Sequence, residues 1–172
     1  MKQFTVLTAL AVLALTIQAQ AGDVKSGLQP GKSIGAFNVT KCAGADDDGV
    51  QVGQNLCYRC KNGARPQVMV FTRNPKDKNV LKLVAELDKA ISDNSDKQLR
   101  AFVNVLGEDK AELSSVAKEA ATASKAKNVP FVVPNEFENG PDNYGLNAKA
   151  DVTIIVANKS KVTASHAVTS AK

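Results

Sequence analysis

The sequence predicts a single α/β domain: a mixed β-sheet with flanking helices, preceded by an N-terminal β-hairpin. Three observations predict it. From residue 66 onward, short apolar runs alternate with longer segments of helical periodicity, as expected for strands joined by crossover helices. Near the C-terminus two apolar segments are separated only by Asn158-Lys159-Ser160-Lys161, so the last pair is antiparallel and the sheet is mixed. Upstream, two short strand-like segments flank a loop rich in Asp and Gly.

Residues 1–21 read as a secretory signal peptide. Lys2 supplies the charged start, Phe4 to Ile17 the apolar run, and Ala19-Gln20-Ala21 the small-x-small cleavage site. The apolar run is short of the roughly 20 residues that cross a bilayer. The expected location is therefore outside the cytoplasm, periplasmic or extracellular, with no membrane attachment after cleavage. Residues 22–65 form an N-terminal extension carrying the hairpin and a Cys-x-x-Cys pair, and residues 66–172 form the core.

Within the extension, "SIGAFNVTKCAG" reads as a strand ending near Cys42. "ADDDGVQVGQN" reads as a solvated turn, and "NLCYRC" as a short second strand. The loop does not fit a calcium-binding hand: counting from Asp46, the position that needs Glu is Cys57. In the core, Val68, Met69, Val70 and Phe71 make a buried strand. Asn74-Pro75 then reads as an N-cap with proline at the first helical position. Val80, Leu83, Val84, Leu87 and Ile91 follow at helical spacing, predicting a helix over 75–93. "LRAFVNVLG" is a strand, "EDKAELSSVAKEAATASKA" a helix with Leu113, Val116, Ala117 and Ala120 inward, and "VPFVVPN" a strand. "ENGPDNYGLN" is a loop or short helix, and "DVTIIVAN" and "KVTASHAV" are the closing hairpin.

The chemistry rests on Cys42, Cys57 and Cys60, an odd number of thiols in a chain bound for an oxidising compartment. Cys57-Tyr58-Arg59-Cys60 has the spacing of a dithiol that can close on itself. Arg59 and Lys61 flank it with positive charge that favours thiolate. Two pairings are open. A Cys57–Cys60 bridge needs only a four-residue turn and suits a redox pair, with Cys42 left over as a resolving thiol. A bridge from Cys42 to either partner would brace the hairpin, and depends on strand register. Cys57–Cys60 is the expected pairing.

"QVMVFTR" followed by a helix, and "NYGLNAKADVTIIVANKSKV", resemble the central strand with its helix and the closing segment of the thioredoxin-like fold. The likeness is to the extended form found in peroxiredoxin-like and secreted thiol–disulfide proteins, and it covers residues 66–168. It implies a thiol–disulfide oxidoreductase-like activity, with Cys57 and Cys60 as catalytic residues. Two departures stand out. Where the resemblance places the reactive cysteine, after the central strand, this chain has Thr72-Arg73-Asn74-Pro75. Where it places a cis-proline, just before Thr153, this chain has Asp151 and Val152. The dithiol is thus displaced upstream of the central strand. It lies either at the opposite end of the sheet or, with the hairpin folded over, near Asn74.

Other chemistries fit less well. Lys61 stands where a haem-attachment motif needs His, and a zinc site from Cys42, Cys57, Cys60 and His166 lacks a second close pair. His166 is the only histidine, and no Gly-x-Ser-x-Gly elbow occurs. No cofactor or metal is expected. The formal charge of +5 is spread along the chain without a basic block, which argues against a nucleic-acid partner. The expected partner is a thiol or disulfide substrate, protein or small molecule. The alternative is a noncatalytic thioredoxin-like binding or scaffold module whose cysteines form a structural disulfide.

Overall fold

The computed structural model describes residues 24–169, so the expected signal peptide lies outside the described residues. Seven strands form one sheet. The elements run β1 (Val39–Ala43), β2 (Asn55–Leu56), α1 (Tyr58–Asn62), β3 (Gln67–Thr72), α2 (Lys78–Asp93), β4 (Arg100–Val105), α3 (Lys110–Ser124), β5 (Phe131–Pro134), β6 (Val152–Asn158) and β7 (Lys161–Val168). Three-ten turns occur at Ser95–Lys97 and Asp142–Tyr144. The spatial order is β2-β1-β5-β4-β3-β6-β7.

The central strand is apolar on both faces because both faces are covered. All six residues of β3 are buried. Val68 and Val70 point to one side, where Val84 of α2 and Ala117 of α3 meet Val103 and Phe131. Met69 and Phe71 point to the other, into a cluster with Phe37, Phe102, Tyr144 and Tyr58. β3, β4 and β5 are parallel neighbours joined through α2 and α3. β6 runs antiparallel to β3, with Val68 opposite Val156 and Phe71 opposite Thr153. The mixed sheet expected from the closing hairpin is therefore present.

Three local expectations are corrected. The helix after β3 begins at Lys78, because Asp77 is the cap: its Oδ1 accepts the Asn79 N–H at 2.8 Å and the Val80 N–H at 3.4 Å. Asn74 and Pro75 lie in the preceding turn. The second strand of the hairpin stops at Leu56, and the chain turns at once into the short helix α1. The hairpin register pairs Val39 with Leu56 and Thr40 with Asn55. Continued along the strands, it sets Cys57 across from Asn38, not from Cys42.

Candidate functional site

Cys57 and Cys60 form a disulfide, with Cα atoms 5.2 Å apart. The local sequence explains the turn. Cys57 is the N-cap of α1 and its Sγ accepts the Cys60 N–H at 3.1 Å, a thiol doing what Ser or Asp does at other helix starts. Lys61 N–H bonds the Cys57 carbonyl at 2.9 Å, closing one helical turn. Gly63 ends it at φ 62° and ψ −132°, a conformation that side chains disfavour, and its N–H reaches the carbonyls of Arg59 and Cys60. Cys60 is exposed and Cys57 half-buried.

What holds this turn against the sheet was not visible in the sequence. The Asp46–Gly49 segment, expected to be a solvated turn, wraps a buried lysine. Lys41 is 1% exposed. Its Nζ donates to the Ala45 carbonyl (2.8 Å), the Val50 carbonyl (2.8 Å) and Asp48 Oδ1 (2.9 Å), so each ammonium proton has an acceptor. Asp48 Oδ1 also accepts the Val50 N–H, and its Oδ2 accepts the Tyr58 hydroxyl. The Tyr58 ring stacks on Phe102 of β4, centroids 5.7 Å apart. The residue between the two cysteines is thereby fixed to the hairpin loop by its oxygen and to the sheet by its ring. Burial, and then the bond to Asp48, push the Tyr58 hydroxyl well above the ordinary phenol range. A lysine at an inward strand position followed by an Asp run was the available signal.

The sequence-predicted residues separate. Cys42 is a free, buried thiol on the helix-covered face, packed with Ala117 and Phe131, while Tyr58 belongs to the opposite face. Its Sγ contacts Ser114 Oγ at 3.8 Å. Burial pushes the Cys42 thiol up, against smaller lowering effects of Ser114 and Lys118. Lys61 is exposed on the same flank of α1 as Asn62. Arg59 is half-buried; burial pushes the Tyr144 hydroxyl up, and the Arg59 charge opposes that with a smaller downward effect. His166 is exposed on β7.

The position relative to the sheet is also settled. α1 leads through Gly63–Pro66 into the N-terminal end of β3, where Arg100 N–H bonds the Pro66 carbonyl and Lys159 N–H the Ala64 carbonyl. No protein-family model and no curated protein matches the chain. Solved structures do. Mycobacterium tuberculosis AhpC aligns over 84% of this chain and 89% of its own, with TM-score 0.59 and 13% identity. A provisional thiol:disulfide interchange protein DsbE from Chlorobium tepidum aligns over 83% and 88%, with TM-score 0.58 and 12% identity. The thiol peroxidase from Chromobacterium violaceum aligns over 85% and 80%, with TM-score 0.52 and 13% identity. The fold is thioredoxin-like.

In the thioredoxin-like frame, the usual thiol position is the C-terminal end of β3. Here Thr72 Oγ1 accepts the Asn74 N–H there, and Arg73 N–H bonds the Asp151 carbonyl. Among the described residues no peptide bond is cis. The disulfide sits at the other end of the same strand. Of the two placements left open by the sequence, the opposite end is the one adopted.

Proposed function

We propose that the protein is an exported thiol–disulfide oxidoreductase-like protein that cycles between the Cys57–Cys60 disulfide and the dithiol. One observation carries the reading: the bridge has an exposed sulfur-bearing residue, Cys60, and a half-buried one, Cys57, whose Sγ receives a backbone N–H. A substrate thiolate attacks Cys60 Sγ. The S–S bond breaks, a mixed disulfide forms on Cys60, and Cys57 leaves as thiolate. The Cys60 N–H stabilises the charge that arrives on Cys57 Sγ. A second substrate thiolate takes the substrate sulfur, releasing substrate disulfide and the Cys60 thiolate, and solvent protonates the pair. Run in reverse, the dithiol reduces a substrate disulfide. The three known proteins above, a thiol:disulfide interchange protein among them, support this class. The disulfide itself suits an oxidising compartment.

The alternative, a noncatalytic module with a structural bridge, is weaker on magnitude. The cysteines are only three positions apart. Closing so short a loop removes little unfolded-state entropy, about 2 kcal/mol against about 3 kcal/mol for fifteen residues. The test is a reduction potential together with trapping. A potential above about −300 mV is expected. Cys57→Ser should accumulate a mixed disulfide on Cys60, and Cys60→Ser should not. A lower potential with no trapped adduct would establish the brace.

A further inference from the structure

At the N-terminal ends of β3 and β4, against the flank of α1 that carries Tyr58, Lys61 and Asn62, lies a cleft of about 310 Å³. That is within the lower range of small-ligand sites, about 300–1,000 Å³. Its lining includes Lys61, Arg65, Arg100 and Lys127, drawn from α1, the α1–β3 link, β4 and the α3–β5 loop. The charge is lopsided. Asp48 is already neutralised by Lys41, which leaves Asp47 as the one uncompensated carboxylate in the lining. Among the described residues none of the four cations forms an ion pair. Arg65 spends its Nε on Gln98 Oε1 and its Nη1 on the carbonyls of Lys61 and Asn62, and Arg100 bonds the Leu99 carbonyl; all are neutral acceptors. Asp88, the nearby acid of α2, accepts the N–H groups of Lys127 and Asn128 and not the Lys127 ammonium.

We infer that this cleft is the recognition site for an anionic, carboxylate-bearing small thiol, the exchange partner of the Cys57–Cys60 disulfide. The inference rests on the dithiol reading above. It adds what that reading lacked, a reason why one thiol is taken over another. Tyr58, Lys61 and Asn62 present one flank of α1 to the cleft. Lys61 directly follows Cys60, the exposed cysteine that the exchange attacks, and neither cysteine itself lines the cleft. A carboxylate held by Lys61 and Arg65 places the rest of the same small molecule along the flank of α1 next to Cys60. Four cations against one uncompensated carboxylate at a concave surface raise the local concentration of anionic substrate. Arg100 and Lys127, from separate elements, make the attraction a property of the assembled fold.

The test compares three probes on the oxidised protein: mercaptosuccinate (anionic), mercaptoethanol (neutral) and cysteamine (cationic), with rates of disulfide opening expressed per thiolate. At low ionic strength mercaptosuccinate should exceed mercaptoethanol at least about tenfold, and cysteamine should fall below both. The ratio should collapse toward one in high salt. It should also drop severalfold in Arg100→Gln/Lys127→Gln, and hold in Lys149→Gln, an exposed lysine outside the cleft. A ratio near one while mercaptoethanol still opens the bridge overturns the anion site and leaves the dithiol reading intact. A bridge that none of the probes opens sinks the dithiol reading. Succinate titrated into the oxidised protein gives a readout free of redox chemistry. Shifts of the Lys61, Asn62 and Asn128 amide resonances support the site, and their absence overturns it. An acidic cysteine-containing peptide that outpaces mercaptosuccinate overturns the small-molecule assignment.

Discussion

The two ends of β3 make opposite uses of the same sheet. Its six residues span about 17 Å at about 3.3 Å per step. At the C-terminal end, where thioredoxin-like proteins were expected to carry their thiol, there is a tight polar join: Thr72 with Asn74, Arg73 with the Asp151 carbonyl, and Arg73 Nη1 with the Glu138 carbonyl at 2.8 Å. At the N-terminal end there is a disulfide on a single helical turn, a basic cleft, and a buried ion pair that holds the turn down. The difference teaches that the fold fixes the sheet and not the place of the disulfide. A one-turn helix cannot organise itself, since nucleation is unfavourable. The end that carries the cysteine pair therefore also carries a clamp, Lys41–Asp48–Tyr58.

That contrast can be broken most forcefully at Lys41. Replacing it with Ala strands the Asp48 carboxylate, 18% exposed, without its cation. The expected loss is about 3–5 kcal/mol, read from urea unfolding. A loss below about 1 kcal/mol would mean the clamp is incidental. Tyr58→Phe is the milder cut. The ring still stacks on Phe102, but Asp48 Oδ2 loses its donor, for an expected cost of about 1–3 kcal/mol. Amide exchange should quicken across residues 58–62 and stay unchanged in β6.

Alkaline pH sharpens the comparison through groups that must keep their protons. Burial, foremost, raises Cys42, Tyr58 and Tyr144 above their ordinary values of 9.0, 10.0 and 10.0. Below those values both folded and unfolded chains hold the protons, and the contribution is complete. As pH climbs past them the unfolded chain releases protons that the folded chain retains, so stability falls. The urea midpoint should be level from pH 7 to 8 and decline above about pH 9. Tyr58→Phe should flatten part of that decline. A midpoint level through pH 11 would contradict the burial of these groups.

The smallest expected effect is at the other end of β3. Thr153→Val removes the buried 2.7 Å bond to Ser26 Oγ, which keeps its bond from the Asn147 N–H. The cost should be about 1 kcal/mol, with the disulfide potential unmoved. A shift in potential there would show that the two ends communicate.

Most of the sheet could be read from residue order because its determinants are local. The run Val68–Phe71, the helical spacing from Val80 to Ile91 and the turn at Asn158–Lys161 each encode an element within a few positions. The errors fell where a distant or unusual partner decided the outcome. "NLCYRC" reads as a short strand, yet the Cys57 sulfur accepts the N–H that starts a helix, and cysteine is not a usual cap. Asn74 displayed the common cap chemistry, but Asp77 is the residue whose carboxylate meets free N–H groups. The Asp46–Gly49 loop resembled any solvated turn, because the ammonium it encloses comes from an adjacent strand. The cysteine pair was legible from spacing alone. Its place at the far end of the sheet depended on which way the hairpin packs.

The anchor of the site lies inside the four-residue ring that the disulfide closes. Anyone seeking to retune this bridge by exchanging the dipeptide between its sulfurs would find only half of it available. Arg59 is half-buried and takes no part in the Lys41–Asp48–Tyr58 clamp. A change at Tyr58 would unseat a loop ten residues upstream in the chain. The disulfide turn and the hairpin anchorage are thus encoded together, and a library randomised at both positions would mostly sample proteins with a loosened N-terminal third.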